Sequence, residues 1–130
     1  MPHLSFEYSP GLENLCDLNA FASACRDALV ATGACKPGGI RVRGFRADIC
    51  VVADGKVGGH FLDMVLRLGE GRDDATRAAI ADSLYSAAET TLRPALNDMP
   101  FILSLEVQDI QAMFSRKSWS TIHAALNGDT

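Results

Sequence analysis

In "MPHLSFEYS", proline stands directly behind the initiator methionine. Removal of Met1 would leave Pro2 as a free secondary amine, a base and nucleophile that no internal residue supplies. A plainer reading is structural, because proline has no N–H to give a ladder and is tolerated at the first residue of a strand. Taken alone, the stretch favours the plainer reading. His3, adjacent to that nitrogen, could orient or tune it.

Arginine supplies the second kind of chemistry. Nine of the 12 basic residues are arginine, which grips a carboxylate through a planar two-pronged fork where lysine offers a point charge. In "GGIRVRGF", strand alternation sends Ile40 and Val42 to one face and Arg41, Arg43 and Phe45 to the other. Two arginines on a covered face would be costly without anions. They meet either acidic residues of a neighbouring subunit or a carboxylate ligand, and spacing does not choose between these. Arg72, in "GEGRDD", falls between a strand end and a helix start, where glycine allows close backbone approach and a helix N-terminus attracts anions. Asp73 and Asp74 repel carboxylates there, and a plain surface arginine in a turn is the alternative.

Other chemistries find little support. His3, His60 and His123 share no metal spacing, and His60 reads as a structural histidine. Cys16, Cys25, Cys35 and Cys50 form no CxxC pair or zinc pattern and read as reduced, three of them as small core residues. No Ser-His-Asp order, phosphate-binding loop or dinucleotide fingerprint occurs. The formal net charge of -4 and pI of about 5.2 argue against a nucleic-acid surface. No apolar run approaches the ~20 residues that span a bilayer, and no basic-then-apolar signal pattern opens the chain, so a cytoplasmic protein without a membrane partner is expected.

The elements that would carry these residues are legible from periodicity. Leu4, Phe6 and Tyr8 alternate with Ser5 and Glu7 as in a half-buried strand. Leu15, Leu18, Phe21, Ala22, Cys25, Ala28 and Leu29 recur at helical spacing up to Gly33, a natural stop. Residues 39–52 are strand-like, and "ADGK" at 53–56 predicts a turn into a strand over about 60–68, hence a hairpin. Asp73 is placed to cap a helix with Ile80, Leu84, Ala88 and Leu92 on its apolar face, and Pro94 near its end. "FILSLEV" predicts a last strand, and the tail beyond it has no strong pattern.

The order is β-α-β twice. It predicts an α+β fold in a single domain over residues 1–130, with a four-stranded mixed sheet and both helices on one face. A chain of 130 residues cannot cover the opposite face alone, so self-association is expected.

"MPH", "ATG" at 31–33, "GGIRVR" at 38–43, "ADG" at 53–55, "LGEGR" at 68–72 and "LSLEV" at 103–107 are collinear. Together they resemble the 5-carboxymethyl-2-hydroxymuconate isomerase family of the tautomerase superfamily. Beyond about residue 110 the likeness narrows to Ile122-His123. The resemblance implies a homotrimer with sheets inside and helices outside. It implies Pro2 as the catalytic amine and Arg41 and Arg72 as the arginines that hold the substrate; rigid placement on its strand makes Arg41 the one expected to act in catalysis, and the strand reading adds Arg43 and His3 as substrate-binding candidates. The implied reaction is ketonisation of a small carboxylated 2-hydroxydienoate in aromatic-acid catabolism, by proton transfer with neither metal nor organic cofactor. Two alternatives differ in class: a superfamily enzyme acting on another enol, or, with Met1 retained, a trimeric anion-binding protein.

Overall fold

Leu4 and Phe6 are buried in β1 (His3–Tyr8), while Ser5 and Glu7 face the other way, in a computed structural model that describes residues 1–126. Gly11 opens a single helical turn, α1 (Leu12–Leu15), which the extended backbone of Cys16 ends. Asp17 then caps α2 (Leu18–Ala31), its carboxylate accepting from the Ala20 amide at 3.0 Å. The apolar spacing from Leu15 onward thus conceals a break, because an N-cap aspartate satisfies donors that a continuous helix would have no need to satisfy. Past α2, Gly33 takes the left-handed φ of 76° that the sequence expects of a helix stop.

A 3-10 turn at Pro37–Gly39 leads into β2 (Arg41–Arg46), and β3 covers His60–Gly69. Asp73 accepts from the Thr76 amide at 2.8 Å and caps α3 (Asp74–Leu96), which buries Ile80, Leu84, Ala88, Leu92 and Leu96. Pro94 sits within its last turn. β4 (Phe101–Ile110) runs past the expected strand, and the tail adds a 3-10 turn at Ala112–Phe114 and one helical turn, α4 (Ile122–Ala125). The last residues of the tail, 127–130, lie outside the described residues.

The sheet order is β2-β1-β3-β4, with β1 parallel to β2, antiparallel to β3, and β3 parallel to β4. This corrects the expected hairpin, because β1 lies between β2 and β3. The "ADGK" turn does form: Gly55 N–H donates to Val52 O at 2.9 Å, and Asp54 Oδ1 accepts from the Lys56 and Val57 amides. It turns a connection, residues 47–59, that carries the chain past the end of β1. The apolar alternation of β3 explains the choice. Leu66 and Met64 stand directly opposite Leu4 and Phe6 in the β1 register, and that pairing extends the buried face without a break.

α2 and α3 pack together on this apolar face and enclose the core. Phe6 meets Phe21 edge to face, ring centroids 5.2 Å apart. Cys25 and Cys35 are buried and Cys16 packs against the core; burial pushes the Cys25 thiol up to about 12, out of reach of thiolate chemistry. The opposite face carries His3, Ser5 and Glu7 of β1, Arg41 and Arg43 of β2, Asp63 and Arg67 of β3, and Ser104 and Glu106 of β4. It stays open in the single chain, with Phe45 53% and Ile102 62% exposed. No helix among the described residues is long and apolar enough to cross a membrane.

Candidate active site

Register places a row of three basic side chains across the open face. His3 pairs with Arg41 on one side and Arg67 on the other. An Nη2 hydrogen of Arg41 reaches His3 Nε2 at 2.8 Å. A guanidinium has donors and no acceptor, so Nε2 must be bare and the imidazole neutral. Burial, then the charges of Arg41, Arg67 and Arg43, push His3 down to about 4, which keeps it neutral at ordinary pH. Arg43 Nη1 lies 3.5 Å from His3 Nδ1, the outer limit of contact.

Pro2 is buried just behind this row, and its carbonyl accepts from the Arg41 amide at 3.2 Å, so β2 is registered on the residue that would carry the amine. Gly39 makes the approach close: a Cβ there would touch Met1 and Pro2 Cδ. The amino group of Met1 is held below the ordinary α-amine range by burial first, then by the charges of Lys117, Arg72 and Arg41, against an opposing contribution from Cys35. Pro2 nitrogen sits one residue further into the same electropositive surroundings.

Arg72 is placed differently from Arg41. Its Nη1 donates to Gly69 O and its Nη2 to Ala34 O, both at 2.9 Å, tying the end of β3 to the loop after α2. Its charge reaches the amino terminus, as the Met1 amine registers, but its side chain lies behind the cavity rather than in it.

That cavity, of about 550 Å³, opens over Met1, His3, Arg41 and Arg67. Its far wall comes from the segment after β4, including Phe114, Ser115, Arg116 and Lys117. The structure thus brings Met1, His3 and Arg41 together, sets Arg43 against the outer side of His3, and adds three cations that sequence reasoning missed. Arg67 could have been found from the strand alternation of β3, which puts it on the face of His3. Arg116 and Lys117 sit in a tail without periodicity, where no local signal marks them.

The tail is held by contacts between two stretches that the sequence singles out separately. The His123 ring lies against Gly38, where an added Cβ would overlap it, and its buried Nδ1 has no hydrogen-bond partner among the described residues. "GGIR" therefore needs its first glycine to seat the histidine of "IH".

Charge pairing divides the arginines cleanly. Among the described residues, Arg26, Arg46, Arg77 and Arg93 each have a carboxylate within 4.0 Å. Arg41, Arg43, Arg67, Arg72 and Arg116 have none, and all five surround the start of β1. Such an arrangement can bind carboxylates, hold an amine neutral and stabilise negative charge developing on an enolate.

Comparison with known proteins agrees. The chain is 27% identical over 124 residues to the 5-carboxymethyl-2-hydroxymuconate Delta-isomerase of Escherichia coli, covering 95% of this chain and 98% of that protein. A crystal structure of a 5-carboxymethyl-2-hydroxymuconate delta-isomerase superposes with a TM-score of 0.88 at 25% identity, covering 97% of this chain and 93% of the other. A 5-carboxymethyl-2-hydroxymuconate isomerase from Deinococcus radiodurans R1 shares the fold, with a TM-score of 0.86, 24% identity and coverage of 96% and 93%. The profile of the family described as 5-carboxymethyl-2-hydroxymuconate isomerase matches residues 2–126, and the chain belongs to that family.

Proposed function

We propose that this protein ketonises 5-carboxymethyl-2-hydroxymuconate or a close carboxylated 2-hydroxydienoate, with Pro2 as the proton carrier once Met1 is removed. The observation that carries the reading is the gathering of five arginines without carboxylate partners around the start of β1. Charge left unpaired at one place, in a protein of formal net charge -4, is provision for an anion.

Neutral Pro2 nitrogen takes the proton of the 2-hydroxyl. The electron pair of that O–H bond becomes the carbonyl, the diene shifts, and the prolinium returns a proton to the distal diene carbon. One O–H bond breaks and one C–H bond forms, with no change of oxidation level. Arg41, held by His3 on the strand, faces the charge that develops on the dienolate. Arg72 acts at longer range, its positive charge disfavouring the ammonium form of the amine.

The pH dependence follows in sign. A base must be neutral to accept a proton, so the rate falls as pH drops through the amine pKa. Burial and the nearby cations move that limb to more acid pH than a free amine would give.

The protein works as a homotrimer in the cytoplasm, in the breakdown of aromatic acids. Support for assembly comes from the sheet face, which a single chain leaves open with Phe45 and Ile102 exposed. The test joins intact mass with an assay of dienol decay. Processed protein beginning at Pro2 is expected to accelerate ketonisation; active protein that stoichiometrically retains Met1 would refute the amine mechanism.

A further inference from the structure

We propose that Arg67 and Lys117 form a second anion subsite, across the cavity from Arg41, which takes a distal carboxylate and makes the site select dicarboxylates and tricarboxylates over monocarboxylates. For the identity of the substrate this rests on the function proposed above; the subsite itself rests on geometry.

Adjacent strands lie ~4.8 Å apart, so the backbones of Arg41 and Arg67, with β1 between them, are separated by about 10 Å. Two guanidinium groups at that spacing can hold the two ends of a six-carbon dienedioate while its middle passes over His3 and Pro2. Arg41 uses Nη2 on His3, and its buried Nε has no hydrogen-bond partner among the described residues. Arg67 is exposed, has no carboxylate within 4.0 Å among the described residues, and faces Gln108 of β4, whose amide is spent on Glu106 Oε1 at 2.9 Å. The single carboxylate that lines the cavity, Glu70, is engaged by the Ala112 amide at 3.0 Å. Arg116 donates to Met113 O and Ser115 O and so braces its own loop, whereas Lys117, beside it on the far wall, has no ion-pair partner among the described residues. Two charges on two separate elements, neither with a carboxylate within 4.0 Å among the described residues, match a ligand whose own charges are separated.

Isothermal titration of the processed wild-type protein with adipate and with hexanoate reads this without turnover. Adipate should bind at least ~10-fold more tightly than hexanoate, as an added charge-assisted contact implies. Arg67→Ala and Lys117→Ala should each shrink that ratio by about 10-fold, and Arg67→Lys should restore part of it, with thermal melts confirming that each variant is folded. A wild-type ratio near unity, or one that survives both alanine substitutions, overturns the subsite. Preference for adipate in a protein that does not accelerate dienol decay would support the subsite and refute the proposed reaction. Dienol decay without the preference would do the reverse.

Discussion

The two ends of the sheet treat polar groups in opposite ways. Where β1 finishes, most strong groups are answered within the chain. Arg46 is held by Asp48 at 2.7 Å and Glu13 at 3.3 Å, Ser9 lies 2.7 Å from His60 Nδ1 and takes the Phe61 amide, and Ser104 donates to Asp63 at 2.6 Å. Where β1 starts, Arg41, Arg43 and Arg67 stand around His3, and none of the three has a carboxylate within 4.0 Å among the described residues. Repulsion among like charges costs stability, and among the described residues a single carboxylate, Glu70, lines the cavity at that end. The satisfied end holds the sheet together. In the proposed function the unpaired end is where the carboxylated substrate sits.

The largest expected break in this contrast comes at Pro2. Pro2→Ala, processed to its new amino terminus, keeps a nitrogen but a primary and more flexible one. Turnover should fall by about 100-fold to 10,000-fold, the contribution of a well-placed general base, with KM little changed. The chain should remain folded, because the satisfied end is untouched. Steady-state kinetics beside a thermal melt check both halves; unchanged kcat would remove Pro2 from the chemistry.

Arg41→Ala comes next, and it tests whether the unpaired charges act in the transition state. Loss of a donor that faces developing enolate charge costs about 2.7–4 kcal/mol, or roughly 100-fold to 1,000-fold in kcat. Truncation also removes one of the charges that depress His3, so the His3 pKa should rise from about 4 without regaining its ordinary value, since burial is the larger cause. Imidazole resonances followed through an NMR titration read this directly. In the wild-type protein the same depression has a consequence for stability. Between about 6.5 and 4 the unfolded chain binds a proton at His3 that the native chain refuses, so this residue's contribution weakens stability as pH falls through that window.

Gly38→Ala has a smaller effect and probes how the far wall is held. The new Cβ would overlap the His123 ring, and overpacking of this kind costs about 1–3 kcal/mol. α4 is a single turn at the end of the described chain, so it yields before the sheet does. KM for a dicarboxylate should therefore rise with kcat nearly intact, and hydrogen exchange should quicken around residues 114–125. Quickened exchange in the sheet instead would show that Gly38 supports the fold and not the wall.

These variants also mark what periodicity could and could not convey. The alternation of Leu4 and Phe6 and the stripe through Ile80, Leu84 and Ala88 predict their elements, because burial on one face is a property each segment shows by itself. Arg41 and Arg43 on the face away from the helices are legible for the same reason. The hairpin fails because strand order depends on which edge of β1 each partner takes, and that is decided by contacts between distant segments such as Leu66 on Leu4. Arg72 reads as an anion site from its glycine-flanked turn, yet its guanidinium meets Gly69 O and Ala34 O, the latter 38 residues away in sequence. Lys117 is invisible for the strongest version of this reason: its wall of the cavity is held by the seating of His123 on Gly38, a contact between segments far apart in sequence.

The smallest expected effect sharpens the comparison from the satisfied end. Arg46→Ala removes the one cation that Glu13 and Asp48 share, but Arg46 is 53% exposed in its side chain and Asp48 73%. In such surroundings water screens the attraction and two long side chains lose rotamer freedom to keep it, so ion pairs of this kind contribute about 0.2–1 kcal/mol. A shift of that size in the unfolding free energy, shrinking further at high salt, is what denaturant titration should find. Activity should not change, since Arg46 lies five residues along β2 from Arg41, at the far end of the strand and, by alternation, on the opposite face of the sheet. A fall in kcat/KM as large as that of Arg41→Ala would mean that charge anywhere along β2 serves the reaction through the field of the whole sheet. The division between a satisfied end and an expectant one would then be a description of contacts, with no bearing on chemistry.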